Sequence, residues 1–133
     1  MPWWDSGASG GAAWPWLGTA LAKRDKIMMG TGVTAPILRY HPAIVAQIFA
    51  TLAYMFLNRV FLGIGKGEAL NEIPSGNNWQ SGIERFERMK EAIYIIKKLW
   101  REEWVNFTGS YYWVKDSKLY LNLESQLLFI SQH

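Results

Sequence analysis

The 133-residue sequence predicts an α/β fold built from parallel strand-helix units. The runs 27–33 (Ile-Met-Met-Gly-Thr-Gly-Val) and 60–65 (Val-Phe-Leu-Gly-Ile-Gly) lack the alternation of a strand with one wet face and suit strands covered on both faces. Each precedes a helix-period segment, the order of βα units in a parallel sheet. Periodicity does not choose between an open doubly wound sheet and a closed barrel. In both, ligands sit at the C-terminal ends of the strands, which directs attention to residues 33–36 and 65–72. A complete eight-unit barrel takes roughly 250 residues, so a barrel reading makes this chain about half of one.

The elements follow in order. Residues 1–13 are glycine-rich and read as loop; Trp14-Pro15-Trp16 then starts a helix running to about Lys23, with Pro in the first turn where its missing N–H costs nothing. Pro36 stops the first strand. His41-Pro42 opens a helix over 43–56, in which Gln47, Thr51, Tyr54 and Asn58 define one narrow exposed stripe. After the second strand comes a loop over 66–80. Ser81-Gly-Ile-Glu84 has capping-box spacing, and Ile83, Phe86, Ile93, Ile96 and Trp100 are assigned to the buried face of a long helix ending near Arg101. Segments 104–108 and 111–114 flank Gly109-Ser110 as a hairpin with a two-residue type II′ turn. The run 127–130 reads as one more strand.

Composition narrows the function. The net charge of +3 is spread along the chain, with Lys23, Arg24 and Lys26 in one cluster and Lys97, Lys98 and Arg101 in another, both near helix C-termini, where cations complement the helix dipole and form no phosphate-tracking patch. With no cysteine there is neither disulfide nor thiolate chemistry, and the expectation is a cytoplasmic protein. Met1 leads directly into a Trp-, Gly- and Ser-rich stretch rather than a signal peptide. The apolar segment 43–57 is interrupted by polar residues and too short to span a bilayer of roughly 30 Å. Expected partners are therefore small molecules, with neither nucleic acid nor membrane, and with no metal.

The segment from Gly65 to Glu72 brings two glycines and two carboxylates to the strand end. Glycines let backbone N–H groups approach a planar or anionic ligand, and a carboxylate there can move a proton. It is not a dinucleotide fingerprint, because the third glycine is missing. On chemistry alone, Glu68 reads equally as a helix-capping or salt-bridge residue and as a catalyst.

Two long runs bear a specific resemblance. Arg59-Val-Phe-Leu-Gly-Ile-Gly-Lys-Gly-Glu-Ala-Leu-Asn-Glu72 and Arg39-Tyr-His-Pro-Ala-Ile-Val-Ala-Gln-Ile-Phe-Ala-Thr-Leu52 resemble the F420-dependent glucose-6-phosphate dehydrogenase family of the luciferase-like superfamily. Thr31-Gly-Val-Thr-Ala-Pro36, Pro2-Trp3, Gly109-Ser-Tyr-Tyr112 and Tyr120 keep the same order, so the resemblance covers about residues 2–120 of a single domain, leaving 121–133 as a divergent tail. It implies a partial (β/α)8 TIM barrel of two to three βα units plus a β-hairpin. It further implies that coenzyme F420, a deazaflavin, accepts a hydride from a sugar-phosphate or alcohol carbon across the strand ends. Glu68 is then the catalytic proton acceptor or donor, Gly32, Val33, Lys66, Gly67 and Asn71 bind the cofactor, and Trp3 packs over the reacting centre. The family carries a non-proline cis peptide at the position of Gly32-Val33.

Departures from the family pattern bear on activity. The family's Asp-His pair precedes the segment matching Pro2-Trp3, where this chain has Met1, and His41 falls at a helix start instead. Ala35 stands where relatives often have Thr, and the sugar-phosphate-binding residues would lie beyond the carboxy-terminal end. The chain alone is expected to be inactive, marginally stable and prone to aggregate or assemble through open sheet edges; the alternatives to the dehydrogenase reading are a non-catalytic remnant and an FMN-dependent monooxygenase of the same superfamily.

Overall fold

The computed structural model describes residues 11–121 and the backbone of 128–131. Three parallel strands form one sheet in the order β1 (Met29–Thr34), β2 (Val60–Ile64), β5 (Leu128–Ser131). Helix α1 (Ala13–Ala22) precedes β1, α2 (Pro42–Met55) connects β1 to β2, and the single turn α3 (Ala69–Glu72) and long α4 (Gly82–Arg101) follow β2. An antiparallel hairpin, β3 (Val105–Thr108) with β4 (Trp113–Ser117), comes after α4. The parallel pairing and the alternation with helices are those the two apolar runs predict.

The core lies between the sheet and the helices, where Phe49, Val45, Leu62, Ile64, Met89, Ile95 and Ile96 are fully buried. Helix α2 packs against α4, and Trp100 donates from its indole N–H to the Ala46 carbonyl at 2.9 Å, satisfying a polar group that would otherwise be costly to bury. On α2 Gln47, Thr51 and Tyr54 are exposed, as their spacing requires, and Asn58, also exposed, lies beyond the helix end. Helix α4 starts at Ser81, whose hydroxyl accepts from the Glu84 N–H at 3.2 Å. Of the face assigned above, Ile96 is buried and Phe86, Ile93 and Trp100 pack partly buried against the core, whereas Ile83, in the first turn, is 79% exposed. The most deeply buried residues, Met89, Ala92, Ile95, Ile96 and Leu99, turn the centre of that face away from Ile83.

Strand β1 is thinner in cover than a two-faced reading anticipates. Ile27 and Met28 lie ahead of it and are exposed, and within it only Thr31 and Thr34 are buried. Arg59 ties the start of β2 to the end of α1, its guanidinium donating to the carbonyls of Leu21, Arg24 and Ile27. Of these, the Leu21 carbonyl belongs to the last turn of α1, where helix carbonyls lack intrahelical partners, while those of Arg24 and Ile27 lie in the connection to β1.

The hairpin is also corrected. Thr108 pairs with Trp113 and the Gly109 N–H donates to the Tyr112 carbonyl at 2.8 Å, so the two turn residues are Ser110-Tyr111, one position later than Gly109-Ser110. The Glu91 carboxylate on α4 accepts from the backbone N–H groups of Ser110, Tyr111 and Tyr112 at 2.7, 3.0 and 3.1 Å, and the turn folds over this acceptor. No helix among the described residues is long and apolar enough to cross a membrane.

Candidate functional site

Because β1 and β2 are parallel, their carboxyl ends share one edge of the sheet. The Gly65 N–H donates to the Thr34 carbonyl at 3.0 Å and closes the last rung. This close approach depends on glycine. A Cβ on Gly63 would stand 2.1 Å from the Thr31 carbonyl oxygen, and one on Gly65 2.4 Å from Val33 Cγ2. Within β1 Thr34 Oγ1 donates to Thr31 Oγ1 at 2.9 Å, and Thr31 Oγ1 donates across to the Gly63 carbonyl of β2 at 3.2 Å, so buried hydroxyls are satisfied within the sheet. The Gly32-Val33 peptide bond is cis.

A cleft of about 440 Å3 opens at this edge. The segment after β1 contributes Gly32, Val33, Thr34, Ala35, Arg39 and Tyr40. The segment after β2 contributes Gly65, Lys66, Gly67, Glu68, Asn71 and Glu72, and α1 adds Trp14. Gly67 has φ 79°, a left-handed conformation that favours glycine, and the chain turns there to begin α3. Gly32, Val33, Lys66, Gly67, Glu68 and Asn71, singled out from the sequence, thus line one cleft. Trp3 lies outside the described residues.

The two carboxylates have different surroundings. Glu68 is exposed and is the N-cap residue of α3, yet its side chain makes no capping hydrogen bond, so the capping alternative is not realised. Only its backbone carbonyl serves the turn, accepting from Asn71 and Glu72 N–H at 3.0 and 3.1 Å. Glu72 is fully buried and takes the salt-bridge role: Oε2 accepts from the Arg39 backbone N–H at 3.2 Å, and Oε1 lies 3.5 Å from Arg39 Nε. At 3.5 Å that second contact is an ion pair more than a directed hydrogen bond. Asn71 Oδ1 is buried and lacks a hydrogen-bond partner among the described residues.

Trp14, Arg39 and Tyr40 were not anticipated as lining residues, whereas Glu72 lies in the segment after β2 that the sequence pointed to. Trp14 and Tyr40 have ring centroids 4.5 Å apart, and the Arg39 guanidinium carbon sits 4.7 Å above the Tyr40 ring. Arg39 and Tyr40 follow the first strand at its ligand-facing end, which is the signal that could have found them; nothing local marks Trp14. Behind the cleft the Tyr112 hydroxyl donates to the Ile37 carbonyl, pinning the hairpin to the β1-α2 connection. Burial pushes that phenol up to about 12, against the opposing pull of Arg88. His41 is a helix cap, as its position suggests: Nδ1 accepts from the Ala43 N–H at 3.1 Å, and burial lowers its pKa. No group of three or more His, Cys, Asp or Glu side chains suited to a metal ion occurs among the described residues.

The family model described as luciferase-like monooxygenase matches residues 3–124. An F420-dependent glucose-6-phosphate dehydrogenase of Microbacterium testaceum is 49% identical over 120 residues, 90% of this chain and 36% of that protein. An F420-dependent hydroxymycolic acid dehydrogenase of Mycobacterium tuberculosis is 47% identical over 122 residues, 90% of this chain and 33% of that protein. Among solved structures, an F420-dependent secondary alcohol dehydrogenase in complex with an F420-acetone adduct superposes with a TM-score of 0.90 at 37% identity, over 98% of this chain and 40% of that one. The coenzyme F420-dependent tetrahydromethanopterin reductase of Methanopyrus kandleri, with a TM-score of 0.82 and 19% identity, shares the fold. The chain spans about a third of the length of the curated relatives it matches.

Proposed function

The chain belongs to the luciferase-like monooxygenase family and carries part of its barrel; from that premise, we propose that its cleft takes coenzyme F420 and serves the oxidation of an alcohol or sugar-phosphate carbon. The observation that carries the reading is the pairing, across one cleft, of Gly32, where a Cβ would meet no atom within 4 Å, with the exposed Glu68 carboxylate. An open glycine face admits a flat ring against the backbone. The cleft volume of about 440 Å3 falls in the range of roughly 300–1,000 Å3 usual for small-ligand sites.

The residues fit a deazaflavin. Asn71 Oδ1 is a buried acceptor suited to a ring N–H, Lys66 is a cation at the lip, and Gly32, Val33 and Gly67 supply a backbone surface close to the ring. When bound, the deazaflavin supplies a ring carbon that takes up a hydride. Glu68 then receives the hydroxyl proton of the substrate. The O–H bond would break towards the Glu68 carboxylate, which takes the proton while the substrate oxygen keeps the bonding pair. The aromatic pair Trp14 and Tyr40 closes one side and limits water there.

The test is loss of oxidised F420 absorbance with glucose 6-phosphate and with simple secondary alcohols. Whatever turnover the chain supports is expected to fall by about 10²-fold or more in Glu68→Gln, the usual cost of losing a general base. Turnover unchanged by Glu68→Gln contradicts the proton role, and turnover with FMN in place of F420 contradicts the cofactor assignment.

A further inference from the structure

The two sides of the cleft come from different βα loops, and one buried ion pair joins them. Glu72 closes α3, and its side chain has 0% exposure, against 13% for Arg39. Burying a carboxylate is unfavourable unless partners replace its water, so the contacts from the Arg39 backbone N–H and guanidinium fix where Glu72 can stand. Helix α3 has four residues, too few to persist by itself, and its Asn71 and Glu72 N–H groups bond back to the Glu68 carbonyl. The location of Glu68 and Asn71 therefore depends on the anchorage of Glu72. On the other side, Arg39 lies over Tyr40, which packs on Trp14, so the same arginine also touches the aromatic wall.

We propose that the Arg39–Glu72 pair is a positioning latch, holding the loop that bears Glu68 and Asn71 at a set distance from the Gly32-Val33 side of the cleft. Both residues border the cleft, and in the latch they act through the residues they hold. The consequence for F420 rests on the function proposed above, while the latch itself can be read without any ligand.

Arg39→Met removes the guanidinium and keeps the backbone N–H, which leaves a buried carboxylate with one partner fewer. The double variant Arg39→Met/Glu72→Gln removes both charges and keeps an acceptor for that N–H. Hydrogen exchange of the ligand-free 133-residue chain, read by mass spectrometry, is expected to be about tenfold faster over residues 66–72 in Arg39→Met, with residues 105–117 unchanged and wild-type protection regained in the double variant. Arg39→Lys, which keeps a cation, is expected between wild type and Arg39→Met, and serves if Arg39→Met fails to fold. The F420 dissociation constant follows the same pattern, about tenfold weaker in the single variant and recovered in the double. Unaltered exchange at 66–72 in the single variants, equal acceleration at 105–117, or a double variant as fast as Arg39→Met overturns the latch. Wild-type chain that binds no F420 while the exchange pattern holds refutes the cofactor reading alone.

Discussion

Replacing Glu91 with alanine removes one acceptor that serves three consecutive backbone donors, Ser110, Tyr111 and Tyr112. A hydrogen bond to a charged group contributes about 1.5–3 kcal/mol in protein interiors. Two of the three bonds are only part-buried and the Ser110 bond is exposed, so water recovers a share of the loss. We expect a net loss of about 2–4 kcal/mol, lower than the sum of three such bonds. For a chain of this size that is a fall in Tm of roughly 10 °C. Glu91→Gln keeps one acceptor but turns an NH2 group towards N–H donors, and is expected to lose about half as much. Urea unfolding of both variants followed by far-UV circular dichroism measures the difference. A loss below about 0.5 kcal/mol in Glu91→Ala, the range of an ordinary surface substitution, would refute the claim that this carboxylate organises the loop.

Other consequences follow from single contacts. Gly63→Ala drives a Cβ to 2.1 Å from the Thr31 carbonyl, so the variant is expected to lose the cooperative unfolding transition seen for the wild type. Tyr112→Phe leaves the Ile37 carbonyl without its phenol donor and is expected to lose about 1–2 kcal/mol by thermal melting. The Tyr112 pKa is raised on folding from 10.0 to about 12, so its contribution is complete below pH 10 and fades as pH rises towards 12; melts at pH 9 and pH 11 should therefore differ more in wild type than in Tyr112→Phe. For His41 the sign is opposite. Its pKa is lowered on folding from 6.5, so its contribution is present above pH 6.5 and is lost as pH falls, when a protonated Nδ1 no longer accepts the Ala43 N–H. His41→Asn keeps an acceptor at the cap and should flatten the acid limb of the Tm profile.

What the sequence made legible was local. Strands β1 and β2 were readable because apolar runs bounded by glycine and proline leave few alternatives, and α2 because Pro42 and the polar stripe mark its start and its wet side. The phase of α4 was legible only in part: Ile96 is buried as assigned, but Met89 and the small Ala92 share the buried face, while Ile83, which weighs more in a periodicity count, stands exposed. Long-range capture of backbone N–H groups escaped as well. Glu91 and Glu72 find donors 19 or more residues away, and a backbone amide carries no residue type by which a sequence could announce it. In the cleft, the residues at the strand ends were found because ligand sites follow strand direction. Trp14 and the Arg39–Glu72 pair depend on how α1 and two loops pack, which no single segment specifies.

The central claim is that the edge formed by Gly32-Val33 and the loop after β2 receives the deazaflavin. Equilibrium titration of the chain with F420, wild type against Gly32→Leu, tests it most directly, because a Cβ at Gly32 meets no atom within 4 Å and the variant should fold with unchanged Tm while its side chain occupies the cleft. The account predicts saturable one-to-one binding by the wild type, competed poorly by FMN and abolished in Gly32→Leu; equal affinity of the two proteins for F420 would contradict it.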